Sequence, residues 1–262
     1  VAAERELRWR VEMNPVLLWF HKLGSPPYFY RFAGRLQPWL LAFTLLSAAA
    51  GLWLAFQAPA DYLQGQSAKI MYIHVPSAGM SMMIYGFMAV CAVVALVWHV
   101  KLSETMAMCA APIGAVFTAI TLITGSLWGR PTWGTYWVWD ARLTSELVLL
   151  FLYFGVIGLY RAIEEPRKAA RAACLLILIG VVNLPIIRYS VVWWNTLHQG
   201  PSVRLMGTST IDASMLPPLL LMMAATHLYF GWALLARTRV ALLEQESGKD
   251  WVRAEIAPAG PG

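Results

Sequence analysis

The sequence predicts an all-α integral membrane protein, built as a bundle of six transmembrane helices. Of its 262 residues, 59% are hydrophobic and only 13% are charged, whereas a soluble domain carries about 25% charged residues. A helix needs roughly 20 predominantly apolar residues to cross a bilayer. Six segments approach that length: Leu36–Phe56, Ala78–Trp98, Thr105–Leu127, Leu143–Tyr160, Ala172–Ile187 and Ala213–Ala236. The fourth and fifth are short, and their ends are defined only to within several residues.

The distribution of lysine and arginine predicts the orientation of this bundle. Fifteen of the 20 basic residues lie on the side of the two termini. The opposite side carries the other five, which are Lys69, Arg130, Arg142, Arg188 and Arg204. By the positive-inside rule both termini are cytoplasmic, and these five residues face outward. Basic residues arranged in this way meet anionic lipid, so the net charge of +6 does not indicate nucleic-acid binding.

The chain divides into a membrane domain and two cytoplasmic flanks. Residues 1–35 form an N-terminal segment whose amphipathic beginning favours an interfacial helix. Residues 36–236 form the six-helix membrane domain, with a tryptophan-rich outward loop at 128–140. Residues 237–262 form a tail that ends Ala-Pro-Ala-Gly-Pro-Gly, and we expect it to be largely flexible.

Cysteine usage argues against three classes of protein. Cys91, Cys109 and Cys174 all lie within predicted spans and form no Cys-x-x-Cys pair. This pattern speaks against a disulfide framework and against a zinc site. Because Cys-x-x-Cys-His is absent from the sequence, the chain is not itself a c-type cytochrome.

The outward loop at 128–140 is the most unusual stretch of the chain. It contains four of the 13 tryptophans, namely Trp128, Trp133, Trp137 and Trp139. Gly129, Pro131 and Gly134 between them favour a shaped turn that lays the indoles side by side. An interfacial aromatic belt is the alternative, but it requires neither this density nor these breaks. A row of indoles suits a large, flat, apolar ligand.

Two of the five histidines share the outward face with this loop. His74 precedes Pro76 and is expected just outside the start of the second helix, and His198 follows the fifth span closely. Neutral imidazoles from separate segments could ligate the two faces of a haem iron. The alternative is that each is an interfacial polar side chain. His227 lies within the sixth span, where we favour an interhelical hydrogen bond over a functional role.

Polar residues follow the tryptophans. Asp140 is predicted to cap the fourth helix. Arg142 offers a bidentate fork that suits a haem propionate, and Arg130 and Lys69 are further cations on the same face. The alternative for each cation is contact with lipid phosphates.

The stretch Trp-Gly-Thr-Tyr-Trp-Val-Trp-Asp-Ala-Arg-Leu-Thr-Ser-Glu at 133–146 resembles the tryptophan-rich signature of haem-handling membrane proteins in cytochrome c biogenesis. Its continuation with Asp-Ala-Arg-Leu-Thr is similar to the CcmC family rather than to CcmF or CcsA. The segments 61–77 and 194–202 also resemble the first and third outward loops of CcmC. The resemblance covers roughly residues 14 to 240.

The resemblance implies a function and a site. CcmC proteins bind haem b on the periplasmic side of the bacterial inner membrane and deliver it to the haem chaperone CcmE, together with CcmA, CcmB and CcmD. The axial ligands would be His74 and His198. The remaining site residues would be the platform tryptophans Trp128, Trp133, Trp137 and Trp139, with Asp140 and Arg142. Lys69 stands where some relatives are expected to have arginine, so it keeps the charge without the bidentate fork.

The residues alone do not exclude two other functions. A haem-translocating permease of an ABC exporter would need a polar path through the spans, for which there are only scattered candidates. A membrane b-type cytochrome usually places its paired histidines within helices, whereas both are expected at one surface here. We expect a haem-binding and transfer protein rather than an enzyme, because any covalent attachment of haem would occur on CcmE.

Overall fold

The computed structural model describes residues 24–194, 196–198 and 211–256, and these are largely helical. The helices are α1 (Pro26–Gln57), α2 (Met71–Trp98), α3 (Lys101–Trp133), α4 (Ala141–Ala162), α5 (Pro166–Gly180), α6 (Asn183–Trp193), α7 (Leu216–Gln245) and α8 (Asp250–Ile256). A short 3-10 helix, Gln66–Ile70, leads directly into α2. Six units are long and apolar enough to cross a membrane, which confirms the predicted class; α5 and α6 together form the fifth.

The core lies where α2, α3, α4 and α5 meet. Tyr85 and Tyr153 are fully buried there and contact each other edge to face. Gly114 on α3 lies directly against the Tyr153 ring, and Gly180 lies against the Tyr85 hydroxyl. Because apolar burial provides little drive between helices in lipid, small residues that let helices approach closely provide much of the packing.

The fifth span is interrupted at residues 181 and 182. Pro185 has no N–H to donate to the carbonyl of Val181, so the helical hydrogen-bond ladder cannot continue through this point. The Val181 carbonyl accepts the N–H of Leu184 instead, at 3.0 Å. Asn183 donates from Nδ2 to the Ser145 carbonyl on α4, at 2.8 Å. The break is therefore tied to α4.

The segments on either side of the membrane domain differ from what the sequence predicts. Helix α1 begins at Pro26, well before the predicted Leu36, and the predicted interfacial beginning at residues 1–23 lies outside the described residues. The prediction of a flexible tail from residue 237 is wrong for residues 237–256, which continue α7 and form α8. Val252 of α8 is buried and Trp251 packs against Tyr30 of α1, so apolar contacts order this part.

Candidate functional site

The tryptophan-rich segment begins as helix rather than as loop. Helix α3 runs through Gly129 and Pro131 to Trp133, so the prediction of a turn shaped by these two residues is wrong. Gly134 ends the helix in the left-handed region, at φ 80°, with its N–H bonded to the Arg130 carbonyl. A proline in the last turns loses a single helical bond, and the intramembrane helix tolerates it. The loop proper is therefore residues 134–140.

His74 lies within α2, in its first turns, and not just outside the helix as predicted. The 3-10 helix before Met71 already sets a helical path, so Pro76 is accommodated inside the helix. The Nδ1 atom of His74 is 3.1 Å from the hydroxyl of Thr124 on α3. Gly125 leaves room for the ring, since a Cβ there would be 3.0 Å from His74 Cε1.

Trp128 packs edge to face against His74, with ring centroids 5.7 Å apart. Its indole Nε1 donates to Gln64 Oε1 at 2.8 Å. Gln64 is positioned by a turn in which Asp61 Oδ1 accepts the N–H groups of Leu63 and Gln64. The loop between α1 and α2 therefore fixes the indole that orients His74.

His198 is held from two sides. Its Nδ1 is 3.3 Å from Asp140 Oδ2, and its ring contacts Trp133 edge to face at 4.7 Å. The other oxygen of Asp140 accepts the N–H of Leu143 at 2.8 Å, which confirms the predicted cap of α4. Because the carboxylate can only accept, the proton of a neutral His198 lies on Nδ1, and Nε2 keeps its lone pair.

The electrostatics of His198 favour this neutral form. Burial lowers the pKa of His198 below its ordinary value, and the nearby positive charge of Arg142 adds to that effect. The charge and hydrogen bond of Asp140 act in the opposite direction, raising the pKa. At neutral pH the imidazole is therefore unprotonated at Nε2, which is the form that binds a metal.

The fold brings the two histidines together. His74 and His198 are close enough to interact electrostatically, and Arg142 acts on both. Arg142 is half-buried and donates to the Ile187 carbonyl on α6 at 3.2 Å. The charge of the arginine therefore acts on both imidazoles, and its position is fixed by the broken fifth span.

The four tryptophans do not form a single row. Trp128 accompanies His74 and Trp133 accompanies His198, whereas Trp137 and Trp139 contact each other edge to face at 5.3 Å. Trp139 is 75% exposed. In the described part of the chain, the buried Nε1 of Trp137 has no hydrogen-bond partner. Two indoles thus position the two histidines, and the other pair provides apolar surface and an N–H donor without a partner among the described residues.

The remaining predicted cations have local structural contacts. Arg130 donates to the Gly134 carbonyl and lies over the Tyr136 ring. Lys69 Nζ donates to the Phe56 carbonyl at 2.9 Å, near the end of α1. Arg188 packs over Tyr189, and Arg204 lies outside the described residues. Of the predicted propionate partners, Arg142 is the one whose charge acts on both histidines.

Glu146 lies one turn into α4 and is 6% exposed. The Ser81 hydroxyl donates to Glu146 Oε1 at 2.7 Å, and Tyr153 donates to the Ser81 carbonyl at 2.7 Å. These bonds join α2 to α4 directly behind Arg142 and Asp140. They give the two helices that carry His74 and Asp140 a shared polar contact.

Sequence reasoning missed Gln64, Thr124 and Gly125. Asp61 followed by Tyr-Leu-Gln-Gly is typical of a turn and could have drawn attention to Gln64. Thr124 and Gly125 carry no comparable signal, because small and hydroxyl residues are common in transmembrane helices. His227 is exposed, and its Nδ1 contacts the Met223 carbonyl of its own helix. The prediction of an interhelical hydrogen bond for His227 is therefore wrong for the part of the chain that the structure describes.

The donor set fits an iron porphyrin. Two imidazoles with anchored Nδ1 atoms could supply two axial ligands, and a porphyrin would supply the other four. Arg142 supplies a fork for a carboxylate, and the exposed Trp139 and Tyr136 supply apolar surface.

Comparison with known proteins places these residues in a family. The profile of CcmC, described as "Heme exporter protein C", matches residues 19–253. The chain is 51% identical to the heme exporter protein C of Escherichia coli (strain K12) over 241 residues, which is 92% of this chain and 97% of that protein. It is 48% identical to the Haemophilus influenzae protein of the same name over 238 residues, 90% of this chain and 96% of that protein. With the Bradyrhizobium diazoefficiens protein it shares 51% identity over 223 residues, 85% of either chain. The chain belongs to the CcmC family of heme exporter proteins.

Proposed function

We propose that this chain binds haem b at His74 and His198 on the periplasmic face of the bacterial inner membrane and delivers it to CcmE during cytochrome c maturation. The observation that carries the proposal is the matched pair of imidazoles. Each is anchored through Nδ1, to Thr124 or to Asp140, and each is packed against its own tryptophan. Anchoring of this kind fixes the tautomer and orients Nε2 toward a metal.

Arg142 is the proposed partner of a haem propionate. Its charge acts on both histidines, and a positive charge there favours an anionic ligand. A haem carries two propionates, and a guanidinium binds a carboxylate through two parallel hydrogen bonds. Trp137 and Trp139 would cover the porphyrin, and the Nε1 of Trp137 would gain an acceptor.

Handover to a soluble acceptor is favoured over fixed electron transfer by the position of the site. Both histidines lie at one end of the bundle, and His198 belongs to a connecting segment rather than to a membrane-spanning helix. A chaperone can therefore approach the iron from the aqueous side and replace one axial ligand. CcmA, CcmB and CcmD are the proposed companion subunits.

The ligand assignment is tested by single and double replacement of His74 and His198 with alanine. We expect the purified wild-type protein to show the absorption of a haem iron with two imidazole ligands. Each single variant should lose that spectrum, and the double variant should retain little haem. His227→Ala is the matched control, because this exposed histidine lies outside the site. Unaltered haem absorption in both single variants would overturn the assignment.

Delivery is tested separately. Haem-loaded protein is mixed with haem-free CcmE, and the haem content of each is followed after separation. Haem appearing on CcmE supports delivery, while haem that stays in place and cycles between oxidation states supports the b-type cytochrome instead. Haem that reaches CcmE only when supplied on the cytoplasmic side of sealed vesicles supports the permease.

A further inference from the structure

A cavity opens at the opposite end of the bundle from His74 and His198. It lies between α3, α4 and α7 and has a volume of about 280 Å³. The apolar part of its wall, slightly larger than the polar part, includes Met108, Pro112, Val156, Ile157 and Ala241. Since Thr105 is near the start of α3 and Arg161 is near the end of α4, the cavity lies where the helices leave the membrane.

Two arginines stand at this cavity, Arg161 from α4 and Arg237 from α7, and both are exposed. The Nε of Arg237 donates to the Cys109 carbonyl on α3 at 3.2 Å, which fixes the guanidinium and leaves its two terminal amino groups for a ligand. Among the described ion pairs, none involves either arginine. Glu244 is the one carboxylate in the lining, so the cations outnumber it by two to one.

An apolar wall beside two guanidinium groups at the membrane surface matches one class of ligand. Arginine binds phosphate through paired hydrogen bonds, and an acyl chain can lie along Met108 and Ile157. Basic pockets between transmembrane helices on the cytoplasmic side bind anionic lipid headgroups. The excess of positive charge favours an anionic lipid over a zwitterionic one.

We propose that this cavity binds an anionic glycerophospholipid, with its phosphate held by Arg161 and Arg237 and an acyl chain against the apolar wall. The lipid would join α3, α4 and α7 at the end of the bundle opposite to the candidate haem site. The proposal does not depend on the assignment of His74 and His198.

The test is native mass spectrometry of the full-length protein in mild detergent. Phosphatidylglycerol and phosphatidylcholine are added at equal concentration. We expect the wild type to retain phosphatidylglycerol preferentially, and the R161Q/R237Q variant to retain about tenfold less. The matched control is R171Q/R253Q, which removes two exposed arginines outside the cavity lining and should retain phosphatidylglycerol as the wild type does.

A third variant keeps the test decisive if R161Q/R237Q folds poorly. Glu244→Gln removes the opposing carboxylate, so retention of phosphatidylglycerol should increase, a gain that misfolding cannot produce. Equal retention of the two lipids, an equal loss in the control pair, or a decrease in Glu244→Gln would overturn the proposal. Displacement of the lipid by millimolar inorganic phosphate would also overturn it, since the site would then bind a phosphate without its acyl chain.

Discussion

Asp140 performs two tasks that substitution can separate. One oxygen caps α4 through the N–H of Leu143, and the other faces His198 Nδ1. Asparagine caps helices about as well as aspartate, but its neutral amide cannot stabilise the imidazole as a carboxylate does. The residue therefore connects the start of α4 to a proposed haem ligand in a segment 58 positions away.

For Asp140→Asn we expect haem affinity to fall by about 10- to 100-fold, because the orienting carboxylate is lost. Thermal stability should change little, since the cap is kept. Asp140→Ala should lose affinity and also about 1 kcal/mol of stability. Haem titration by absorbance and thermal denaturation measure the two effects. Asp250→Asn is the control, because this exposed aspartate pairs with Arg253 on α8, away from the candidate site; wild-type affinity in Asp140→Asn would count against the pairing.

The pH dependence of haem binding follows from His198. Neutral imidazole binds iron, so binding is complete above the pKa of His198 and is lost as pH falls through it. Burial lowers this pKa and Asp140 opposes that effect. In Asp140→Asn the pKa should fall further, moving the acid limb of the binding curve to lower pH. Haem occupancy measured across the acid range tests this, and an acid limb at the same or a higher pH would contradict it.

Gly125 gives His74 its position. An added Cβ would be 3.0 Å from His74 Cε1, so Gly125→Ala should displace the ring from Thr124 and reduce haem binding by about tenfold. Gly79→Ala is the matched control, because a Cβ there meets no atom within 4 Å and a helical Gly→Ala change is otherwise stabilising. Absorbance titration measures the haem affinity of both variants. Equal affinities would mean that His74 tolerates the added methyl group, against the prediction.

At the scale of elements, the end of α3 decides where the aromatic loop starts. Gly134 adopts φ 80°, so Gly134→Ala should cost about 1 to 2 kcal/mol. Pro131→Ala should be neutral or stabilising, because the structure places Pro131 inside the helix, where alanine restores an N–H. Thermal denaturation followed by circular dichroism compares them. A large loss of stability in Pro131→Ala would favour the turn that the sequence suggested.

The elements show how far local rules extend. Hydropathy located all six spans, and capping chemistry located the start of α4 at Asp140. Gly129 and Pro131 predicted a turn where the helix continues, and Pro76 predicted a helix start that in fact lies earlier in the chain. In water these residues end helices, but inside a bilayer an unwound backbone has no solvent to satisfy it. The helix therefore continues to Gly134, where the left-handed region is reached.

For the whole molecule, the proposed orientation gives a labelling pattern. Tyr62 is 90% exposed in the loop between α1 and α2, and Glu165 is exposed at the turn before α5. Tyr62→Cys should react with a membrane-impermeant maleimide in intact spheroplasts, and Glu165→Cys only after permeabilisation. The wild type is the control, because Cys91, Cys109 and Cys174 are buried. The reverse pattern would invert the topology and place His74 and His198 in the cytoplasm.

The sequence by itself determined the class of the protein, its six spans, the cap at Asp140 and the residues available for a site. These properties depend on composition and on neighbours within a helical turn. Tertiary structure alone decided the pairs His198 with Asp140, His74 with Thr124 and Trp128 with Gln64, which join positions 50 to 64 residues apart. It also brought Arg161 and Arg237 to one cavity. Hydropathy sums along the chain, whereas the geometry of a hydrogen bond exists only once helices have packed.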